Sequence, residues 1–450
     1  MASLWRKYFT KEIQVLKRVY EKSDYEDTYE TPRKYLKWSG IRMKHNISKS
    51  LSICWLVYYW FCFVNIVFAF VAEIIAMCMT ASAGTFDDAI AIFQMMPCNG
   101  FCGLSLVKSF KMVKHRPVFE NLITEIGNMW PQRLVDEEEH KIISSALREI
   151  KIFVKGYHWC NNYLMLSFLY PPFWELIKRL SGEKWEPKLH FIYWLPFDPL
   201  QPVYYECMLA LQTWQAMTVI WTNMSGDFMF CLFLSHITTQ FNLLSVRIRK
   251  LIYVPVDQQL IESYPLGQYS EEYLRKNKEA VDSYTPQQWE EKHFKEITEI
   301  VLQHQALIRL SRDIENMYSL TLLVNVVNSS LVICFCGFCS VVVEKWNETA
   351  YKSFLVTALS QTWFVCWYGQ KLLDSSEGVA EAVYNSGWYR ASKKIRRSLM
   401  IMLHRCQKGV GVTTYGFSII SLASYSTIIK TSWSYFTLLL NFSNKQHPKE

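Results

Sequence analysis

The sequence predicts an all-α membrane protein with seven transmembrane helices, a cytosolic N-terminus and an extracellular C-terminus. Apolar residues collect into blocks of about 20 residues, the length that a helix needs to cross a bilayer. Lys and Arg residues collect between the blocks, and 37 of the 48 fall on one side against 8 on the other. Because basic loops stay in the cytosol, this asymmetry places the N-terminal segment there.

Seven candidate spans follow one another along the chain, and helical extensions on the cytosolic side are predicted to form an anchor region. The spans are Leu51–Thr80, Ala89–Val107, Lys151–Trp174, Val203–His236, Leu320–Val343, Ser353–Leu373 and Gly409–Leu440. The predicted regions are a cytosolic N-terminal segment (1–50), spans one to four (51–236), a cytosolic loop and helical stalk (237–317), spans five to seven with the anchor and pore helix (318–440) and an extracellular tail (441–450). The charged first 50 residues lack an apolar signal segment, so we expect span one to direct its own insertion.

The third and fourth spans are the more polar ones. Span three contains Lys155 and is predicted to end at Pro171-Pro172, and span four contains Asp227. Carboxylates inside a membrane are rare and functional by default, so Asp227 and Glu73 of span one are singled out. For Asp227, a structural ion pair or hydrogen-bond network and a role in an ion pathway both remain open.

Residues 290–323 have the periodicity of one long amphipathic helix. Its predicted apolar face consists of Phe294, Ile297, Ile300, Val301, His304, Leu307 and Leu310. Span five is therefore expected to project into the cytosol as a helical stalk. Span six is predicted to continue as a helix through residues 370–389, and a further helix is predicted over Ile395–Leu403.

Span seven is unusually long and polar. Its first part, Gly409–Ile429, contains no formal charge but is rich in Ser, Thr and Gly. A continuous helix over Gly409–Leu440 would be about 48 Å long, whereas the hydrocarbon core of a bilayer is about 30 Å thick. We therefore expect this helix either to begin inside the cell or to break, and its polar composition favours a place in the bundle or against water.

The cysteines and charges exclude several function classes. Cys334, Cys336 and Cys339 have metal-like spacing but lie in an apolar run without histidine, so we interpret them as buried hydrophobic residues and predict no metal site and no cofactor. A disulfide between Cys160 and Cys207 stays open. The net charge of +8 belongs mostly to the cytosolic face, which suits anionic membrane lipid and not nucleic acid. No nucleophile–base pair points to an enzyme.

Three segments of the chain resemble a known family. FVCWYGQKLLDSSEGVAEAVYNSGWY (364–389) is similar to the end of the sixth span of insect odorant receptors, and YWLPFDPLQPVYYECMLALQ (193–212) to their second outer loop. The segment 393–440, with Arg405-Cys406-Gln407-Lys408 as its basic turn, is similar to their last two helices. The co-receptor of that family ends in a Val-rich helix without Ser-Tyr-Phe-Thr, so this chain resembles a ligand-tuned subunit.

The resemblance implies an odorant-gated, non-selective cation channel in the plasma membrane of olfactory neuron dendrites. It implies a small volatile ligand and a heterotetramer with the co-receptor around one pore, lined by the second half of span seven. Matching Ser-Tyr-Phe-Thr places gate candidates at Leu438 and Phe442, with Asn441 as a polar ring beside them. An apolar ring closes a pore by dewetting, although the same side chains could instead face lipid. Lys430 is expected to face away from the lumen, to snorkel or to pair with a carboxylate.

The same resemblance implies a ligand pocket between spans two, three, four and six. The candidate contacts are Phe93, Met96, Leu164, Ser167, Phe168, Tyr204, Tyr205, Met208, Gln212, Thr357 and Gln361. Methionines and aromatic side chains give adaptable contacts to an apolar ligand. Asn347 heads the glycosylation sequon of an outer loop.

Two other functions are weighed. An insect gustatory receptor subunit would share the fold, but its last helix usually ends in a different Thr-Tyr-type motif. A membrane transporter would be expected to contain an internal repeat and paired broken helices, neither of which the sequence contains. Homomeric and heteromeric assembly both stay open.

Overall fold

The structure is a computed structural model that describes residues 19–43, 49–82, 86–201, 204–252, 286–342 and 345–446. The helices, numbered in chain order, are α1 (Lys22–Asp27), α2 (Glu30–Trp38), α3 (Lys49–Ala81), α4 (Phe86–Lys114), α5 (Arg116–Asn128), α6 (Glu137–Leu180), α7 (Tyr204–Arg249), α8 (Pro286–Val342), α9 (Lys345–Tyr384), α10 (Lys393–Cys406) and α11 (Leu422–Gln446). The predicted all-α class is confirmed.

The seven predicted spans lie on seven different helices, namely α3, α4, α6, α7, α8, α9 and α11. Four of these, α3, α4, α7 and α8, are long and apolar enough to cross a membrane by their own composition. The other three are more polar. In a bundle such helices can turn their polar residues toward their neighbours, which fits the sequence-based expectation.

Helix α8 is the predicted stalk joined to span five. Its 57 residues correspond to a length of about 86 Å, far more than the bilayer thickness. Ile297, Ile300, Leu307 and Leu310 are buried, which confirms the predicted apolar face. Residues 253–285 of the loop before it lie outside the described residues.

Helix α7 forms the centre of the molecule. It packs against α2, α3, α4, α5, α6, α8 and α9, and most of its residues are buried. A helix that is apolar or small on every side can be surrounded in this way. Because α7 is surrounded, its side chains determine which groups occupy the interior of the bundle at each depth.

The short helices α1 and α2 attach the N-terminal segment to α7. Tyr25 and Tyr29 are one turn apart and buried, and the Tyr29 ring is stacked 5.6 Å from the His236 ring. Thr28 Oγ1 lies 3.0 Å from Nε2 of the same histidine. Burial raises the pKa values of both tyrosines, because a charged phenolate would lose its hydration there.

Helix α6 extends well beyond its predicted end. Pro171 and Pro172 were expected to terminate span three, but the helix continues to Leu180. Two adjacent prolines remove backbone hydrogen bonds from one turn. Leu169 and Pro172 are buried against the bundle, and packing of this kind offsets the loss. This prediction was wrong because it considered only the backbone.

The prediction of a helix starting at Gly409 was also wrong, and the alternative of a break is confirmed. Helix α11 starts only at Leu422, and the preceding residues form a small hairpin in which Thr413 and Ile419 are bridged. Tyr415 and Gly416 have φ values of 53° and 82°, which a helix cannot contain. At its other end α11 continues to Gln446, into the region predicted as a tail, and residues 447–450 are not described.

This hairpin packs closely against α9. A Cβ atom added to Gly369 would lie 2.6 Å from both the carbonyl oxygen and a methyl carbon of Ile420. The Val410 backbone N–H donates to Ser376 Oγ at 2.8 Å. The absence of a side chain at Gly369 therefore allows the hairpin to lie on the helix, and this contact positions the start of α11.

We expect Gly369→Ala to lower the melting temperature of the detergent-solubilised protein by several degrees, because the added methyl group displaces the hairpin backbone. Gly378→Ala is the matched control on the same helix, since a Cβ there meets nothing within 4 Å. The control should be neutral or should stabilise by up to about 1 kcal/mol through helix propensity. Equal melting temperatures for the two variants would contradict the proposed close contact.

Candidate functional site

An apolar cavity lies where four helices converge. It is formed by α4, α6, α7 and α9, together with the segment that joins α6 to α7. Its lining consists of Cys98, Phe101, Cys102, Leu164, Phe168, Phe191, Ala216, Val219, Ile220 and Phe354. All of these side chains are uncharged and nearly all of them apolar. Such a lining can hold a small, uncharged organic molecule and disfavours an ionic one.

The cavity is contracted. Its volume is about 30 Å³, whereas pockets for organic ligands usually measure about 300–1,000 Å³. Phe354 packs edge-on against Phe101 and Phe168, with ring centroids 5.5 and 5.8 Å apart. A ligand must therefore move these rings or separate the helices that carry them.

One wall of the cavity is fixed by Gln212. Its Oε1 accepts the backbone N–H groups of His190 and Phe191 at 2.9 and 3.0 Å, and its Nε2 donates to the Phe191 carbonyl at 3.0 Å. The His190 ring stacks on Phe168, with centroids 5.6 Å apart, and its Nε2 lies 3.0 Å from Thr213 Oγ1. Burial lowers the pKa of His190 to about 4, so the ring is uncharged at neutral pH.

A buried ion pair lies about 10 Å further along the same four helices, seven residues from Leu164 on α6 and from Phe354 on α9. Lys108 Nζ of α4 is 2.6 Å from Asp227 Oδ1 of α7. The hydroxyl of Tyr157 on α6 and Nε2 of Gln361 on α9 donate to Asp227 Oδ2 at 2.9 and 2.8 Å.

Two further residues connect this ion-pair network to its surroundings. Asn223 Nδ2 donates to the carbonyl of Phe101, a cavity residue, at 3.1 Å, and the Asn223 carbonyl accepts from Lys108 Nζ at 3.3 Å. A Cβ on Gly226 would lie 3.0 Å from Cδ of Lys108, so glycine leaves room here for the lysine stem to pass close to the α7 backbone. The structure thus shows the predicted ion pair and hydrogen-bond network of Asp227, and a role in an ion pathway stays a prediction.

The predicted ligand contacts are distributed unevenly around the cavity. Leu164 and Phe168 line it. Gln212, Thr357 and Gln361 are buried on the helix faces that carry it but at other depths. Gln212 holds the closing segment, Thr357 lies three residues beyond the cavity-lining residue of α9, and Gln361 belongs to the ion-pair network.

The other predicted contacts do not line the contracted cavity and stay predictions. They are Phe93, Met96, Ser167, Tyr204, Tyr205 and Met208. Phe93 stacks on Phe335 of α8 with ring centroids 4.8 Å apart. Ser167 lies in a groove on the outer side of α6, and the Tyr205 hydroxyl donates to the Lys188 carbonyl.

Eight lining residues were not identified from the sequence. They are Cys98, Phe101, Cys102, Phe191, Ala216, Val219, Ile220 and Phe354. Six of them form the same spacing of i, i+3 and i+4 on α4 and on α7, which is one helix face in each case. That spacing was a usable signal, but the sequence alone did not show which apolar face is turned toward the other helices.

Glu73 is the second carboxylate that the sequence singled out. Its side chain is only 1% exposed, and Oε2 has no hydrogen-bond partner within the residues described. Nearby, Asn99 of α4 donates to the carbonyl of Phe70 at 3.1 Å. This carboxyl group thus lies between α3 and α4, outside the lining of the cavity.

The gate candidates lie on an exposed stripe of α11. Leu438 is 64% and Phe442 is 55% exposed, and Asn441 is also exposed. Thr431 and Ser434 continue the stripe toward the start of the helix. The opposite face is buried, with Ser432 Oγ donating to the Ser330 carbonyl of α8 at 3.1 Å. A pore-lining role and a lipid contact are both compatible with this exposure, so the gate residues stay predictions.

The remaining predicted positions are the glycosylation candidate and the cysteines. Asn347 lies in the first turn of α9, and its side chain is outside the described residues. Cys160 and Cys207 are both free, and Cys160 Sγ instead lies 3.6 Å from Thr357 Oγ1. Cys336 and Cys339 are fully buried, and within the described ranges no group of three or more His, Cys, Asp or Glu side chains could hold a metal ion.

Comparison with known proteins identifies similar chains. The family described as 7tm odorant receptor matches residues 88–433. The putative odorant receptor 85d of Drosophila melanogaster is 26% identical over 75% of this chain and 76% of its own length. Odorant receptor 67c of the same species is 25% identical over 86% and 88%, respectively.

The fold is also similar to a solved one. The insect olfactory receptor OR5 from Machilis hrabei, determined in complex with eugenol, superposes with a TM-score of 0.74 at 14% sequence identity. The match covers 93% of this chain and 100% of that chain. At this identity the likeness concerns the fold alone, and it confirms the predicted seven-helix architecture.

We expect Asp227→Leu to destabilise the protein by about 3–5 kcal/mol, because it leaves Lys108 buried without a counter-charge. The double variant Lys108→Met/Asp227→Leu should recover much of this loss. Thermal unfolding of the purified protein in detergent measures both effects.

The matched control for this prediction is an exposed pair of the same chemistry. Lys34 and Glu30 are 2.8 Å apart with side chains 59% and 69% exposed, so Glu30→Gln should leave the stability almost unchanged, because water screens the pair. If Asp227→Leu were no more damaging than Glu30→Gln, the buried pair would not be a structural requirement.

Proposed function

Because this chain belongs to the 7tm odorant receptor family, a family of multi-pass membrane receptors and not of enzymes, we propose that it is the odorant-binding subunit of a ligand-gated, non-selective cation channel in insect olfaction. The observation that carries the proposal is the apolar cavity between α4, α6, α7 and α9. Its ligand is a small, uncharged volatile molecule. Eugenol, the ligand of the similar Machilis receptor, is of this chemical kind.

The proposed mechanism is a population shift. A ligand in the cavity favours an expanded arrangement of the four helices, because the contracted arrangement has no room for it. The helices that carry the cavity also carry the Lys108–Asp227 network, so expansion changes their relative positions at both depths. Helix α9 transmits the change, since it lines the cavity and contacts both the hairpin and α11.

The proposed assembly is a heterotetramer with the odorant receptor co-receptor around one pore. Its proposed location is the plasma membrane of sensory dendrites, with the N-terminus in the cytosol. The exposed stripe of α11 faces the pore in this proposal. Leu438 and Phe442 form the apolar gate and Asn441 a polar ring beside it, while Asn347 lies outside the cell and carries glycan.

Whole-cell current in a heterologous cell tests this function, with the chain expressed alone or with an insect co-receptor against a panel of volatile compounds. We expect an odorant-evoked cation current that requires both chains. Ala216→Leu fills the cavity and should raise the half-maximal odorant concentration on the order of tenfold or more at unchanged surface expression. Val356→Leu is the control, because Val356 is exposed on the same bundle.

Three outcomes contradict the proposal in different ways. A current from this chain alone would replace the heteromeric assembly by a homomeric one. An equal rise in the half-maximal odorant concentration for Ala216→Leu and Val356→Leu would mean that the ligand does not bind in the cavity. Silence under all conditions with verified surface expression would contradict the channel function with respect to the volatile classes tested.

The proposed gate has its own test. We expect Leu438→Ala to increase the current without ligand, because a smaller side chain weakens dewetting of a closed pore. Trp433→Leu is the control, since Trp433 is also exposed but lies about 140° around the same helix. If Leu438→Ala changed neither the ligand-free current nor the ion selectivity, Leu438 would instead face lipid.

A further inference from the structure

A second cleft, distinct from the ligand cavity, lies at the basic end of the bundle. It has a volume of about 450 Å³ and is open to the surface. The turn after α2, the first turns of α3 and the junction of α4 with α5 surround it. We name it the Arg42–Arg116 cleft after its two arginines. Gly40 shapes the turn, with a φ of 78° and a Cβ position only 2.8 Å from Tyr59 Cα.

The two arginines have donors left for an anion. The guanidinium of Arg42 lies over the Trp55 ring, 5.6 Å from its centroid, and no acid among the described residues pairs with it. A guanidinium above a ring keeps its in-plane N–H groups available. Arg116 uses Nε to bind Glu120 Oε1 at 2.9 Å, and its two terminal nitrogens have no acceptor within the part of the chain described.

Apart from Glu120 and the hydroxyl groups of Ser52 and Tyr59, the rest of the cleft is apolar, and it continues onto the outer face of the bundle. Trp55 and Leu56 form its wall on α3. Beside them on the same helix, Ile53, Val57 and Trp60 are exposed by half or more of their surface. This surface begins at the level of the arginines and follows a helix that is long and apolar enough to cross the membrane.

We propose that the Arg42–Arg116 cleft binds the phosphate-bearing headgroup of an anionic glycerophospholipid, whose acyl chains lie along the exposed face of α3. Guanidinium groups bind phosphate oxygens in pairs of parallel hydrogen bonds. The basic asymmetry of the sequence places this end of the bundle at the cytosolic leaflet, where anionic lipids are abundant. Among the described residues of the lining Glu120 is the one acid, and its negative charge limits the affinity of the site.

The test uses the purified full-length protein in a neutral detergent. Its thermal unfolding is followed during titration with dioctanoyl phosphatidylserine, with dioctanoyl phosphatidylcholine and with inorganic phosphate. We expect saturable stabilisation by phosphatidylserine only. The double variant Arg42→Gln/Arg116→Gln should bind it with an affinity lower on the order of tenfold or more, and Glu120→Gln should bind it more tightly.

Arg148→Gln/Arg397→Gln is the matched control, because it removes two exposed arginines of α6 and α10 that do not line the cleft and leaves the same net charge as the cleft variant. It should bind phosphatidylserine like the natural chain. Equal losses in the control and the cleft variant would overturn the proposal in favour of general charge attraction. Equal stabilisation by phosphatidylcholine would show that the cleft does not require an anionic headgroup and would overturn the proposal. Equal stabilisation by inorganic phosphate would show that the cleft binds a free anion and not a lipid.

Discussion

The bundle depends on the ion pair between Lys108 and Asp227. Removing two charges from water costs several kcal/mol for each ion, and only good geometry with further hydrogen bonds offsets that cost. Here those further bonds come from Tyr157 and Gln361, so the Asp227 carboxylate on α7 requires one side chain from each of three other helices at a fixed depth. Because the apolar cavity lies on the same helices, the network also sets the positions of its walls.

Most of the fold follows from the sequence because long helices leave a regular pattern. Five of the seven residues predicted for the apolar face of α8 are buried and the other two partly buried, since a helix of that length repeats its apolar positions many times. The hairpin before α11 was not predicted as such, because Gly409–Ile429 is uncharged and its break arises from Tyr415-Gly416 and a contact to α9. The composition of this segment alone does not indicate its contact with α9.

The site was predictable by helix but only in part by residue. A resemblance identified the four helices that surround the cavity, yet α4 was assigned Phe93, five residues and about 140° away from Cys98. Lys108 was overlooked because it follows the predicted end of span two, where a lysine is usually solvated. Rotation and depth of a helix result from packing with its neighbours, which one sequence does not reveal.

The contracted cavity has a kinetic consequence. If a ligand enters only when the rings of Phe101, Phe168 and Phe354 have moved apart, the apparent affinity is reduced by the fraction of time that the space exists. A bulkier ligand needs a larger opening, which exists for a smaller fraction of the time. At saturating concentration the delay before a response is then set by this opening and not by diffusion, so molecular size is encoded in the timing of the signal as well as in its strength.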